Sequence, residues 1–146
     1  MLTIKKLSPA DLSLAKQLFI FFEEDEGETA TLPSDEYLKN LLAKNDYHVL
    51  VALEENTLAG GLTAYELLLP AGFTELFLYE IAVKEEFRRK GIARRLVQEL
   101  NALGKQRGCS ETFVFTTPGE EAPSKFYASL GGRREATEMF SYELNG

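Results

Sequence analysis

Apolar spacing changes several times along the chain, and each change marks an element. Leu2 to Leu7 read as a strand, after which Ser8 and Pro9 supply an N-cap and a proline at the first helical position. The helix they open runs to about Phe22, with Leu12, Ala15, Leu18, Phe19 and Phe22 on its apolar face. A second helix starts at Ser34, with Asp35 and Glu36 in its first turn, and continues through Tyr37, Leu38, Leu41 and Leu42 to about Lys44. Tyr47 to Leu53 and Leu58 to Leu69 form an antiparallel hairpin across the turn Glu54-Glu55-Asn56, and Gly60-Gly61 inside it points to a bulge or a close backbone approach. Leu76 to Val83 is a third consecutive strand, and from Gly91 the period becomes helical through Ile92, Leu96, Leu100 and Leu103, ending near Gly104 or Gly108. Glu111 to Thr116 reads as a strand, Ala122 to Leu130 as a short helix closed by Gly131-Gly132, and Thr137 to Leu144 as a final strand. The order β-α-α-β-β-β-α-β-α-β predicts an α/β fold, a central mixed sheet flanked by about four helices. With no repeat or linker, residues 1–146 are expected to form a single domain.

The junction after Val83 organises the chemistry. A strand that delivers its end to a helix N-terminus brings unpaired N–H groups and the positive end of the helix dipole to one point, which suits an anion such as phosphate. Gly91 fits a backbone that must wrap closely around an oxyanion, and Arg88, Arg89, Lys90, Arg94 and Arg95 surround it with donors. Between Lys84 and Arg107 there are eight Lys or Arg and three acids, leaving eight basic and twenty acidic residues elsewhere. A basic island on an acidic chain favours one localised anionic ligand and argues against nucleic acid, which needs a wide basic face. A solvated, arginine-rich helix face would carry the same charges.

The remaining composition excludes more than it assigns. Cys109 is the single cysteine, so no internal disulfide is possible, in keeping with a reducing cytoplasm. It has no spaced partners, only one histidine exists, and no metal site is expected. His48 sits in a strand pattern where packing explains it as readily as catalysis. No long apolar run or leader pattern is present, so neither a membrane span nor a secretory signal is expected. Glu23, Glu24, Asp25, Glu26 and Glu28 form an acidic run that is either a solvated loop or a mouth attracting polycations.

Simple alternation over 76–83 puts Leu76, Leu78, Glu80 and Ala82 on one face and Phe77, Tyr79, Ile81 and Val83 on the other. A carboxylate at Glu80 must then be ion-paired, hydrated in a cleft, or raised in pKa by desolvation, and the last two suit a general base.

Arg88-x-x-Gly91-x-Ala93 after a strand ending Ile81-Ala82-Val83 resembles the acetyl-coenzyme A signature of the GNAT superfamily of N-acetyltransferases, Q/R-x-x-G-x-G/A. Phe126-Tyr127-Ala128-Ser129-Leu130-Gly131 resembles that superfamily's second motif, F/L-Y-x-x-L-G. The resemblance implies a GNAT fold over the whole chain, acetyl-CoA as donor, and no metal. It implies Glu80 as the base and Tyr127 as the acid near the thiol, although Tyr127 could also simply pack beside Phe126. Backbone groups of Ile81, Ala82 and Val83 would hold the pantetheine arm. Arg88, Arg89, Lys90, Gly91, Ile92 and Ala93 would hold the pyrophosphate, and Phe126 would also line the cofactor.

Three further stretches, Ser34 to Leu42, Leu62 to Leu67 and Leu78 to Val83, resemble the aminoglycoside 3-N-acetyltransferases of that superfamily. Glu80 stands where that group carries Asp, the acidic run is denser, and Glu120-Glu121 with Pro123 replace its usual helix opening. The implied acceptor is a small cationic amine, an aminoglycoside, with Asp25, Glu26, Tyr79 and Glu80 as acceptor-binding residues. A polyamine, another small amine or a peptide amine is the alternative acceptor, and a non-catalytic acyl-CoA sensor is the alternative class. Relatives that pair through sheet edges or C-terminal strands imply a homodimer, with Met139 to Leu144 available for it or for the core.

Overall fold

The computed structural model describes residues 1–145, which divide into two compact units, the first covering 1–115 and the second beginning at Thr116. In the first unit, strand β1 (Leu2–Lys6) leads through a single 3-10 turn at Pro9–Asp11 into helix α1 (Leu12–Asp25). Ser8 caps that turn as expected: its hydroxyl accepts from the Ala10 N–H, and Asp11 reaches back to the Ser8 N–H at 2.9 Å. Helix α2 (Asp35–Ala43) begins under the Ser34 cap, whose Oγ accepts from the Tyr37 N–H at 3.1 Å. Strands β2 (Tyr47–Glu54), β3 (Thr57–Leu68) and β4 (Thr74–Val83) follow, then helix α3 (Ile92–Gln106) and the short strand β5 (Glu111–Phe113). The second unit contains helix α4 (Glu121–Ser129).

The sheet is mixed, in the order β1-β2-β3-β4-β5, with antiparallel pairing up to β4 and a parallel β4–β5 pair. Glu55 and Asn56 turn the β2–β3 hairpin with left-handed φ of 48° and 69°. Residues directly opposite one another share a sheet face. One face, carrying Val49, Val51, Gly61 and Ala82, packs on Ala15, Leu18 and Phe22 of α1 and on Leu42 of α2. The other carries Leu50, Leu62, Leu76 and Leu78, all buried, and α3 turns its buried Ile92, Leu96 and Leu100 inward. Close approach explains Gly60-Gly61: a Cβ on Gly60 would lie 2.5 Å from the Ala82 carbonyl oxygen, and one on Gly61 2.8 Å from Leu18.

Two expectations are corrected. The acidic run is not all loop, because α1 continues through Glu23, Glu24 and Asp25 and ends only before Gly27, whose φ is 80°. Thr137 to Leu144 forms no strand. Met139, Phe140, Tyr142 and Leu144 are 79–93% exposed, and a β-prone segment without a ladder partner in the chain has nothing to make it a strand.

Candidate active site

The parallel β4–β5 pairing stops at Phe77–Phe113, although β4 runs on to Val83. Among the described residues, no strand pairs with β4 from Leu78 to Val83 on its β5 side. Backbone donors and acceptors along that stretch, apart from the Val83 carbonyl, are available for an extended ligand. Ile81, Ala82 and Val83 occupy it, on the side facing away from their β3 partners Leu62, Gly61 and Gly60.

Directly beyond lies the α3 N-terminus. Arg89 and Gly91 both adopt left-handed φ, 64° and 76°, and together with Lys90 they curl the backbone before Ile92 and Ala93 open the helix. This turn and the first helical N–H groups form a concave set of donors suited to an anion. A Cβ on Gly91 would meet nothing within 4 Å, so its backbone conformation, and not lack of room, calls for glycine. The chain therefore fits acetyl-CoA at both ends: an open strand edge for the amide-bearing arm and a basic helix start for the phosphates.

Arg88 is placed differently from its neighbours. Its Nε donates to the Val83 carbonyl at 2.8 Å and its Nη2 to Asp25 Oδ1 at 3.2 Å. It thus ties the last carbonyl of β4 to the end of α1. Asp25, an expected acceptor ligand, spends its carboxylate on this contact. A cavity of about 350 Å³ beside the pair is lined by Phe21, Asp25, Lys84 and Arg88 among others, a mixture of charges.

A bulge in the β3–β4 ladder decides where Glu80 points. Ala64 pairs with Leu78 but Thr63 pairs with Glu80, leaving Tyr79 as the extra residue. Phe77, opposite Tyr65, and Glu80, opposite Thr63, consequently share the face packed by α1 and α2. This corrects the simple alternation, which set Glu80 apart from Phe77 and with Leu76 and Leu78. The Glu80 carboxylate is pushed above its ordinary value by loss of hydration and then by the negative charges of Glu26 and Glu23. Glu80 has no ion-pair partner among the described residues. Glu23 accepts the Thr31 N–H at 2.7 Å, which ties the loop after α1 back onto the helix end. Tyr79 is 59% exposed on the same face. Sequence reasoning missed the rings behind it, Tyr47, Tyr65 and Phe77, whose signal was available only as a cross-strand register.

In the second unit, Phe126 and Tyr127 lie side by side on α4 with ring centroids 5.1 Å apart. Both are half-buried, and burial pushes the Tyr127 hydroxyl above its ordinary value, so it stays protonated.

His48 lies on the α3 face, since it pairs with Ala64. Its Nε2 donates to Glu66 Oε2 at 2.5 Å, Arg107 Nε donates to the same oxygen at 2.5 Å, and Arg107 Nη2 caps the Asn45 carbonyl at 3.0 Å. Cys109 Sγ stands 3.9 Å from Glu66 Oε1, and burial raises its thiol, so it stays a protonated neighbour of this network. Sheet register thus separates the histidine from Glu80, and no group of three potential ligands for a metal occurs among the described residues. Among the described residues, no helix is long and apolar enough to cross a membrane.

Comparison with known proteins agrees with this geometry. The acetyltransferase (GNAT) family profile matches residues 15–131. A solved aminoglycoside acetyltransferase from an uncultured soil metagenomic sample superposes with a TM-score of 0.92 at 32% identity, covering 99% of both chains. A second from such a sample, solved in complex with sisomicin, gives 0.92 at 31% identity over 98% of this chain and 96% of that one. The same protein has also been solved with trehalose. N-alpha-acetyltransferase 30 of Schizosaccharomyces pombe is 27% identical over 98% of this chain and 83% of its own length. A chloroplastic GCN5-related N-acetyltransferase of Arabidopsis thaliana is 37% identical over 57 residues, so the match spans only 20% of that relative. The open β4 edge, the basic start of α3 and the family match over most of the chain have one meaning: this protein belongs to the GNAT family, whose members are acetyl-CoA-dependent N-acetyltransferases.

Proposed function

We propose that this protein transfers the acetyl group of acetyl-CoA to an amine of an aminoglycoside, and that residues 1–146 act as one catalytic domain. The reading rests above all on Glu80, an exposed carboxylate with no ion-pair partner among the described residues, whose carboxyl is raised by partial desolvation and by the charges of Glu26 and Glu23. A polycation relieves that repulsion, and one of its ammonium groups must lose a proton before it can react. The soil enzymes, similar over nearly the whole chain, support the same acceptor class.

Acetyl-CoA supplies the activated acetyl thioester when bound. Ile81, Ala82 and Val83 align its arm along the free β4 edge, and the backbone of Arg89 to Ala93, with the side chains of Arg89 and Lys90, holds the pyrophosphate. Phe126 packs against the cofactor. Glu80 takes the proton from the acceptor amine, directly or through a water. As the new C–N bond forms and the C–S bond breaks, Tyr127 gives its proton to the departing sulfur and is re-protonated from solvent. Glu26 and Tyr79 hold the acceptor, and Asp25 acts on it only indirectly, through Arg88.

The fission-yeast relative supports a second reading, a peptide N-terminal amine as acceptor. Release of free thiol from acetyl-CoA, followed in parallel with gentamicin-type aminoglycosides, spermidine and short peptides, separates the two. A large kcat/KM preference for the aminoglycosides is expected. Turnover confined to peptides would transfer the assignment to the second reading.

A further inference from the structure

The acceptor face carries a continuous row of aromatic rings. Tyr47 and Tyr65 lie 4.9 Å apart, Tyr65 meets Tyr79 edge-on at 5.8 Å, and Tyr79 meets Phe77 edge-on at 5.4 Å. Phe77 then stacks on Phe113 at 4.8 Å with only 6° between their planes, and Phe115 closes the row edge-on to both. The row is sealed at Tyr47, which is 6% exposed, and open at Tyr79 along its length and at Phe115 at its far end, 59% and 57% exposed. Tyr79 is thus an exposed ring continuous with a braced aromatic cluster, and an exposed aromatic patch is a feature of ligand-binding surfaces. Tyr79 is the bulged residue, immediately before Glu80, and Tyr65 and Phe77 prop its ring from two sides.

An open, braced ring next to a carboxylate is complementary to a particular chemistry. The negative π face attracts polarised C–H groups and cations. A pyranose ring presents a sheet of C–H bonds polarised by its oxygens, and its amino substituents reach for carboxylates. A linear polyamine supplies the charges without the ring face. We propose that Tyr79 is the platform on which a pyranose ring of the acceptor lies, with Glu80 and Glu26 reading its amines, so that the site selects amino sugars over linear polyamines. This rests on the aminoglycoside reading given above and specifies which part of the acceptor is recognised without charge.

A neutral sugar isolates the stacking from the charge. Saturation-transfer NMR with trehalose should show enhancement of ring C–H protons with the wild-type protein and with Tyr79→Phe, and loss of most of it with Tyr79→Leu. No transfer to trehalose in the wild type, or transfer unchanged in Tyr79→Leu, overturns the platform. Calorimetric titration in the presence of coenzyme A gives the second arm. Tyr79→Leu should weaken an aminoglycoside on the order of tenfold, with spermidine either not binding or changed at most about twofold. Equal losses for both ligands overturn the selectivity. Neither arm requires turnover, so an absence of aminoglycoside acetylation would count against the proposed function while the two binding arms still decide the role of Tyr79. Thermal melting confirms that each variant is folded before it is used.

Discussion

Glu80 stands directly across the sheet from Thr63, while Leu78, two residues earlier, stands across from Ala64, the next residue of β3. One bulged residue therefore moves the carboxylate to the other face of the sheet. On the α3 side it would sit among Leu62, Leu76 and Leu78, all buried, where an unpaired charge is prohibitive. On the α1–α2 side it faces Glu23 and Glu26 with enough solvent to exchange protons.

This placement predicts the acid limb of the pH–rate profile. A base works deprotonated, and the Glu80 carboxyl is raised above its ordinary 4.5. Activity should therefore climb as pH rises through a midpoint above 4.5, and Glu80→Gln should abolish that limb and lower kcat on the order of 100-fold. The same shift has a stability consequence with a definite sign. A carboxyl whose folded pKa is raised binds protons more tightly when folded, so ionising it at neutral pH costs stability. Melting curves of Glu80→Gln should thus lie above wild type at pH 7 and converge with it near pH 4.

Tyr127 predicts the opposite limb. Its hydroxyl is raised above the ordinary 10.0 by burial, so an acid at this position is protonated at neutral pH and any alkaline limb it sets should have its midpoint above 10. Tyr127→Phe should lower kcat by roughly 10- to 100-fold with little change in KM for acetyl-CoA. The deficit should shrink with a donor whose leaving thiol is more acidic, because such a thiolate departs without help. An equal deficit for both donors would remove Tyr127 from the proton path.

How much of this was legible in the sequence depended on whether the signal was local. Caps and helix starts were, because Ser8, Ser34 and Gly91 act within one turn of their own position. Strand identity was too, for β1 to β4. The strand forecast at 137–144 was not, since residue type gives β-propensity but not a neighbour to pair with. The face of Glu80 was misread because a bulge is a relation between two strands, invisible in the alternation of one. Arg88 was read from its motif as a phosphate ligand, yet its geometry, with Nε on Val83 and Nη2 on Asp25, also makes it a clamp.

That clamp can be separated from direct phosphate binding. Arg88→Ala frees the Val83 carbonyl and loosens the end of β4, so melting should fall by roughly 2–5 °C and KM for acetyl-CoA should rise. Asp25→Ala removes the acceptor of Arg88 Nη2 at an exposed pair and should cost less than about 1 kcal/mol. If the clamp positions β4, then Asp25→Ala should still raise KM for acetyl-CoA measurably, although Asp25 carries the wrong charge to touch a phosphate. A KM unchanged by Asp25→Ala but raised by Arg88→Ala would remove Asp25 from the clamp and leave Arg88 acting through the Val83 carbonyl or on a phosphate directly.

The network on the opposite face predicts how the fold answers acid. Burial lowers the pKa of His48, and the hydrogen bond to Glu66 only partly offsets it. Neutral His48 donates its Nε2 proton to Glu66 and leaves Nδ1 as a buried, unpartnered lone pair. Protonation would add an N–H there with no acceptor, alongside the cations Lys6 and Arg107, which also oppose it. Glu66 is buried too, which favours its neutral form, but its hydrogen bonds from His48 and Arg107 outweigh burial and hold its carboxyl below the ordinary value. Both shifts have the same sign in linkage: each lowered pKa means that the unfolded chain binds more protons, so stability rises with pH. For His48 the loss on acidification begins near its unfolded value of 6.5, and for Glu66 near 4.5. Relative to His48→Gln, which keeps a donor for Glu66 but cannot be protonated, the wild-type melting temperature should accordingly begin to decline below about pH 6.5, whereas the loss from Glu66 below about pH 4.5 should be common to both. Identical declines in the two proteins between pH 6.5 and 5 would show that His48 does not set the acid response.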